Sequence, residues 1–158
     1  MKSVYLASPF FSDKQKERIY QVKEALVKNK TIDSEKIFIP HEHEYQEAEF
    51  CSFEWQKATF QLDVSQISAA DLVVAIVDYK MEETKENEPD SGTAFEIGFA
   101  YGTGTPVAVV QFDPEKEVNL MIAQALTAYF DVSKDGLEQL ATYDFDKMIP
   151  KFTRRPVI

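Results

Sequence analysis

Residues 72–77 read LVVAIV, an uninterrupted apolar run of the length expected for a central strand of a parallel sheet, covered on both faces. An acidic, turn-forming stretch follows. It gives way at residues 89–101, PDSGTAFEIGFAY, to a short helix expected to begin at Thr93. Glu96 falls in the first turn of that helix, beside Ala94, Phe95, Ile97 and Phe99, which read as core residues. Backbone N–H groups at a helix start lack partners and carry partial positive charge, so a carboxylate there is expected to stay ionised. An ionised carboxylate where a strand hands over to a helix is placed to act as a nucleophile. Thr93-Ala94-Phe95-Glu96 also spells a capping box, in which the glutamate only reaches back to the cap residue's N–H. This stretch alone leaves both readings open.

Upstream, Val4-Tyr5-Leu6-Ala7 reads as a short buried first strand stopped by Ser8-Pro9, with Phe10 and Phe11 in the loop beyond. Ser12-Asp13-Lys14-Gln15 is a capping-box pattern. It opens a helix with Ile19, Val22, Ala25 and Leu26 on one face, expected to end near Asn29. Ile37-Phe38-Ile39 makes a second strand closed by Pro40, and the polar, aperiodic residues 41–50 read as a loop. Ser52 is placed to cap a helix in which Trp55, Ala58, Leu62 and Ala69 share a face. Residues 78–88 form a second acidic loop, expected to be mobile.

Downstream of Glu96, Gly102 or Gly104 suits a helix end, and residues 106–112 make a fourth strand. Asn119 opens an amphipathic segment, NLMIAQAL; residues 128–131 fit a fifth strand, and Leu137 and Leu140 mark a last helix before an extended tail. Strands alternating with helices require right-handed crossovers. The expected fold is therefore α/β: a doubly wound, flavodoxin-like open sheet of about five parallel strands with helices on both faces. It is expected to be one domain spanning residues 1–158. In such sheets ligands bind at the carboxyl ends of the strands. The loops after the first four strands converge there on an acidic, aromatic-lined crevice.

Composition narrows the partners. A net charge of −10 argues against a nucleic-acid backbone or an anionic membrane surface. Lys151, Arg154 and Arg155 form a basic cluster near the end, too small to reverse that. The 44% hydrophobic and 28% charged residues are ordinary for a soluble globular chain, and no apolar run is long enough to span a bilayer. MKSVYLASPF lacks the pattern of a signal peptide, and the single cysteine, Cys51, excludes an internal disulfide framework. A cytoplasmic setting is expected.

Several motifs invite chemistry. His41-Glu42-His43 lacks the spacing of a helical zinc site and has no second ligand cluster, so it reads as a solvated loop and no metal is expected. No Gly-rich phosphate loop occurs, which disfavours a dinucleotide or ATP. Cys51 has no catalytic context and is expected to be a small, at least half-buried residue. Asp63 lies beside Leu62, toward the apolar face of its helix, where a carboxylate is unusual unless paired or used. Pointing into the crevice, it would have its pKa raised by desolvation and hold a proton near neutrality. A protonated acid opposite an ionised Glu96 is the division of labour that N-glycosidic cleavage requires. A plain helix-surface aspartate fits the same pattern.

YLASPFFS, SFEWQKATFQLD, DSGTAFEIGFAYG and VNLMIAQAL, in this order, resemble the nucleoside 2-deoxyribosyltransferase family over nearly the whole chain. The resemblance implies exchange of the base on a 2′-deoxyribonucleoside through a covalent deoxyribosyl-enzyme, with no cofactor. It makes Glu96 the nucleophile, Tyr5 the residue that orients it, and Asp63 the group handling the proton of the base. Asp90 would bind the sugar hydroxyls, and Phe10 and Phe11 would lie against the base. Asn119 would serve the 5′ end of a sugar held by a neighbouring subunit, which implies a homo-oligomer with shared sites. Glu44 stands where relatives carry a base-contacting glutamine. Several relatives end in a tyrosine that reaches the site; with Pro156-Val157-Ile158 here, that contact is expected to be absent or replaced.

Two other readings compete. A deoxynucleoside monophosphate N-glycosidase of the same superfamily would use a basic, Gly-rich first loop, whereas Ser8-Pro9-Phe10-Phe11-Ser12 has neither Arg nor Gly. A non-catalytic flavodoxin-like binding module would explain the fold and a capping Glu96, but not Tyr5, Asp63 and Asp90 arriving around one helix.

Overall fold

The computed structural model describes residues 1–77, 89–113 and 115–157. The acidic loop expected over residues 78–88 lies outside them. Five strands run parallel in the order β2-β1-β3-β4-β5: β1 (Lys2–Ala7), β2 (Ile32–Phe38), β3 (Leu72–Ile76), β4 (Val107–Gln111) and β5 (Ala128–Asp131). Alternate side chains go to opposite faces of the sheet. On one face Val4, Leu6, Leu72, Val74 and Ile76 pack with α1 (Asp13–Lys28) and α5 (Gly136–Thr142), through Ile19, Val22, Leu26 and Leu140. On the other, Tyr5, Ala7, Val73 and Ala75 pack under α2 (Phe53–Ala69), α3 (Ser91–Thr103) and α4 (Leu120–Ala125), through Ile67, Ile97 and Ile122. The doubly wound α/β sheet is the one expected. Its strand order reverses between β1 and β3, which puts the ligand-binding end of the sheet above Tyr5 and Ala7.

Local chemistry explains the element ends. Ser12 accepts from the Gln15 backbone N–H while the Gln15 side chain returns to the Ser12 N–H, completing the capping box, and Asn29 closes α1. Ser52 caps α2 through the Trp55 N–H. Gly104 ends α3 with a left-handed φ of 83°, a conformation that carries no Cβ penalty for glycine.

Four expectations change. β2 begins at Ile32 rather than Ile37, because Ile32 pairs with Lys2 and Ile37 with Val4, with an irregularity between that absorbs the polar Asp33–Lys36 stretch. Residues 40–42 form a 3₁₀ turn instead of open loop, started by Pro40. In α2, Ala69 is exposed, and the inward stripe runs through Thr59, Asp63 and Ile67, one turn apart, because the helix meets the sheet along that line. Cys51 is exposed in the turn before Ser52, at φ 64°.

Candidate active site

Helix α3 starts two residues earlier than the sequence pattern suggests. Asp90, not Thr93, is its N-cap: Asp90 Oδ2 accepts from the Thr93 backbone N–H at 3.1 Å and from the Thr93 hydroxyl at 3.5 Å. Thr93 is buried inside the helix, so Glu96 sits in the second turn and takes no part in a capping box. The expected stabilisation by unpaired N–H groups is therefore weaker at this depth.

Glu96 finds another partner. The hydroxyl of Tyr5, on β1, donates to Glu96 Oε1 at 2.5 Å. Tyr5 is wholly buried, and its ring stacks on Phe38 at 5.6 Å between centroids, which in turn stacks on His43 at 4.4 Å. The register pairs Tyr5 with Phe38 on adjacent strands, which puts the two rings on one face. Sequence reading gave Phe38 no role. The available signal was alternation within β2, since Ile37 and Ile39 face the other core.

The electrostatics correct a second expectation. Glu96 does not stay simply ionised: its pKa is pushed up to about 7, chiefly by burial. The Tyr5 hydrogen bond pulls it down, while the charges of Asp63 and Asp90 push it further up. Asp63, half-buried on α2, is raised by burial to about 6. The Tyr5 phenol is driven well above its ordinary value by burial and then by the charges of Glu96 and Asp63, so it remains a donor. Tyr5, Glu96, Asp63 and Asp90 thus form one cluster, three carboxyls around one phenol. Burial raises both Asp63 and Glu96 toward neutrality, so near neutral pH the two carboxyls titrate as a coupled pair.

A second group gathers at the ends of β1 and β2. Phe10 stacks on Phe11 at 5.4 Å and lies 5.6 Å from the His41 ring, while the Phe11 N–H and Ser12 N–H both donate to the buried Gln15 side chain. Glu44 is exposed, near enough to His41 for its charge to be felt there. Burial dominates at His41 and lowers its pKa. His41 meets Phe10 and Tyr20, whereas His43 stacks on Phe38, so the two imidazoles of the His-Glu-His motif have separate partners.

Asn119 caps α4, its Oδ1 accepting from the Met121 N–H at 2.9 Å. The chain's last described residues come close by: Val157 pairs with Val118 in a parallel bridge. Among the described residues no helix is long and apolar enough to cross a membrane, and no group of three or more His, Cys, Asp or Glu could hold a metal ion.

Three carboxyls grouped around one phenol could divide the parts of nucleophile, proton donor and hydroxyl acceptor among them. Comparison with known proteins points the same way. A family model described as nucleoside 2-deoxyribosyltransferase matches residues 4–147. A nucleoside deoxyribosyltransferase of Limosilactobacillus fermentum is 29% identical over 140 residues, covering 81% of this chain and 78% of that protein. One from Lactobacillus leichmannii is 26% identical over 160 residues, covering 96% and 93%. The structure of a 2-deoxyribosyltransferase from Bacillus psychrosaccharolyticus superimposes with a TM-score of 0.80 at 32% identity, covering 96% of this chain and 98% of that one.

Proposed function

Because the chain belongs to the nucleoside 2-deoxyribosyltransferase family, we propose that it moves a 2-deoxyribosyl group from one nucleobase to another, with Glu96 as nucleophile. Family membership makes it an enzyme of the pentosyltransferase class. The observation that carries the residue assignment is the Tyr5–Glu96 hydrogen bond of 2.5 Å, with Asp63 and Asp90 within electrostatic reach of the same carboxyl.

In the first step a Glu96 oxygen attacks the anomeric carbon while the bond from that carbon to the base nitrogen breaks, its electron pair leaving with the base. Asp63 gives its proton to the departing base. General acid help of this kind is worth about 10²–10⁴-fold. In the second step another base attacks the same carbon, the ester bond to Glu96 breaks, and the proton returns to Asp63. Two inversions leave the configuration retained. Asp90, which accepts from the Thr93 N–H at the head of the same helix, would bind the sugar hydroxyls.

At rest the pair does not commit its proton to either carboxyl, since burial raises both Asp63 and Glu96 toward neutrality. A base nitrogen accepting a hydrogen bond from protonated Asp63 corrects this. It keeps Asp63 neutral, removes its repulsion of Glu96, and lets Glu96 ionise against Tyr5.

The substrates in this reading are 2′-deoxyribonucleosides and free purine or pyrimidine bases, and the role is nucleotide salvage in the cytoplasm. Every step runs on side chains of the protein, so no cofactor is invoked. Phe10 and Phe11 would face the base, with Glu44 at the rim of that pocket. A second copy of the chain would cover the groove of about 460 Å³ between α3 and α4, which Ile97, Tyr101, Leu120 and Met121 help to line. Tyr101 is 63% exposed and Met121 76%, apolar surface that association would bury. Asn119 stands at the head of that segment, where its amide could serve a neighbour's sugar.

The test is to mix deoxyinosine with free adenine. Transfer predicts hypoxanthine release matched by deoxyadenosine. Release of hypoxanthine without deoxyadenosine would make the protein a hydrolase, and no release at all would leave a binding module.

A further inference from the structure

The basic cluster near the end of the chain takes no part in the chemistry at Glu96. Lys151 pairs with Ala128 in a parallel bridge, so the tail runs along the outer edge of β5. Strands β3 and β4 stand between that edge and β1, which carries Tyr5. Between the tail, β5 and the start of α5 lies a cavity of about 510 Å³. Lys134, Lys151, Arg154 and Arg155 line it, against a single carboxylate among the described residues, Asp131. The wall is thus positive in a chain whose net charge is −10.

These groups divide into committed and uncommitted. Arg155 donates to both oxygens of Asp131, from Nε at 3.1 Å and from Nη2 at 2.7 Å, so the one carboxylate is neutralised. Lys151 donates to the Tyr129 carbonyl and lies 4.8 Å over the Phe130 ring. Lys134 and Arg154 are exposed, and neither has an ion-pair partner among the described residues. Phe152, 73% exposed, adds an aromatic ring to the same wall. Uncommitted cations beside a desolvated ion pair and an aromatic face are what a phosphate joined to a flat heterocycle requires. Two free cations suit a monoester; the acidic remainder of the surface repels a polyanion. The volume falls in the range of small-ligand pockets, about 300–1,000 Å³.

We propose that this cavity binds a nucleoside monophosphate, its phosphate against Lys134 and Arg154 and its base against Phe152. The site is separate from the Glu96 cluster, and its occupancy does not depend on the transfer reaction. The experiment is isothermal titration calorimetry of the full chain with AMP and with inorganic phosphate, at low and at moderate salt. Wild-type protein is expected to bind AMP saturably, and more weakly as salt rises. Lys134→Ala and Arg154→Ala each weaken AMP by about tenfold, with melting temperature and base-exchange activity unchanged. Phe152→Ala weakens AMP but not phosphate. The proposal is overturned by absence of saturable AMP binding, by AMP binding that the Lys134 and Arg154 substitutions leave intact, or by phosphate binding as tightly as AMP.

Discussion

The hydroxyl of Tyr5 and the carboxyl of Glu96, 91 positions apart in the chain, meet at 2.5 Å. One belongs to the strand beside the sheet's switch point and the other to the second turn of the helix after β3. The bond holds one carboxyl oxygen in place and pulls down a pKa that burial raises. The Phe38 ring stacked on Tyr5 limits the phenol's freedom to swing away.

Tyr5→Phe removes that donor and leaves the ring packing in place. Glu96 then loses the hydrogen bond that lowers its pKa, so its titration moves further above about 7. The acid limb of the pH profile of kcat/KM is expected to shift to higher pH. The maximal value is expected to fall about 10–100-fold, the worth of one hydrogen bond to a charged group. An unshifted limb would mean that Tyr5 does not tune Glu96.

The same cluster costs stability. Glu96 and Asp63 bind protons more tightly in the folded chain than in the unfolded one, where carboxyls titrate near 4. The stability this confers is fully present below about pH 4. It is lost as pH rises through about 6 for Asp63 and about 7 for Glu96. Glu96→Gln should therefore melt higher than the parent at pH 8, by about 5 °C, with the gap closing toward pH 4. Calorimetric melts across that range check the sign; a gap independent of pH would contradict it.

Arg155 and Asp131 are 8% and 12% exposed, so removing one leaves the other charge buried. Arg155→Ala is expected to cost about 3 kcal/mol. Arg154→Ala, on an exposed side chain of the same cavity, should cost less than about 0.5 kcal/mol. Urea unfolding of the two variants separates the structural arginine from the ligand-facing one.

Much of this was legible in the sequence, for physical reasons that also mark its limits. LVVAIV could only be an interior strand, and Ser12 and Ser52 announced their helices because a cap side chain sits next to the N–H groups it satisfies. β2 was half hidden, since its polar Asp33–Lys36 stretch interrupts the apolar pattern that the pairing with β1 overrides. The start of α3 was misplaced because Asp90 and Thr93 are both good caps, and only the folded geometry decides that Asp90 accepts from Thr93. Residues 5, 63, 90 and 96 of a local pattern say nothing about distance, so the meeting of Tyr5, Asp63, Asp90 and Glu96 needed the sheet order. Burial raises both Asp63 and Glu96 toward neutrality, and no spacing rule encodes burial. The basic tail was visible as a cluster, but its cavity exists only once the tail lies along β5.

Base preference is expected to follow the Phe10, Phe11 and His41 group. Phe11 is 58% exposed and stacks on Phe10, so Phe11→Ala should raise KM for the base about tenfold while leaving kcat nearly unchanged. A donor-by-acceptor matrix of initial rates gives both constants. Equal loss in kcat would place Phe11 in the transition state instead.

The most direct measurement is covalent trapping. Incubation with a 2-fluoro-2-deoxyribonucleoside that loses its base but turns over slowly, followed by digestion and peptide mass analysis, should find the fluorosugar on the peptide containing Glu96. Glu96→Ala should carry none. A label on any other residue, or full base exchange by the Glu96→Ala protein, would contradict the assignment.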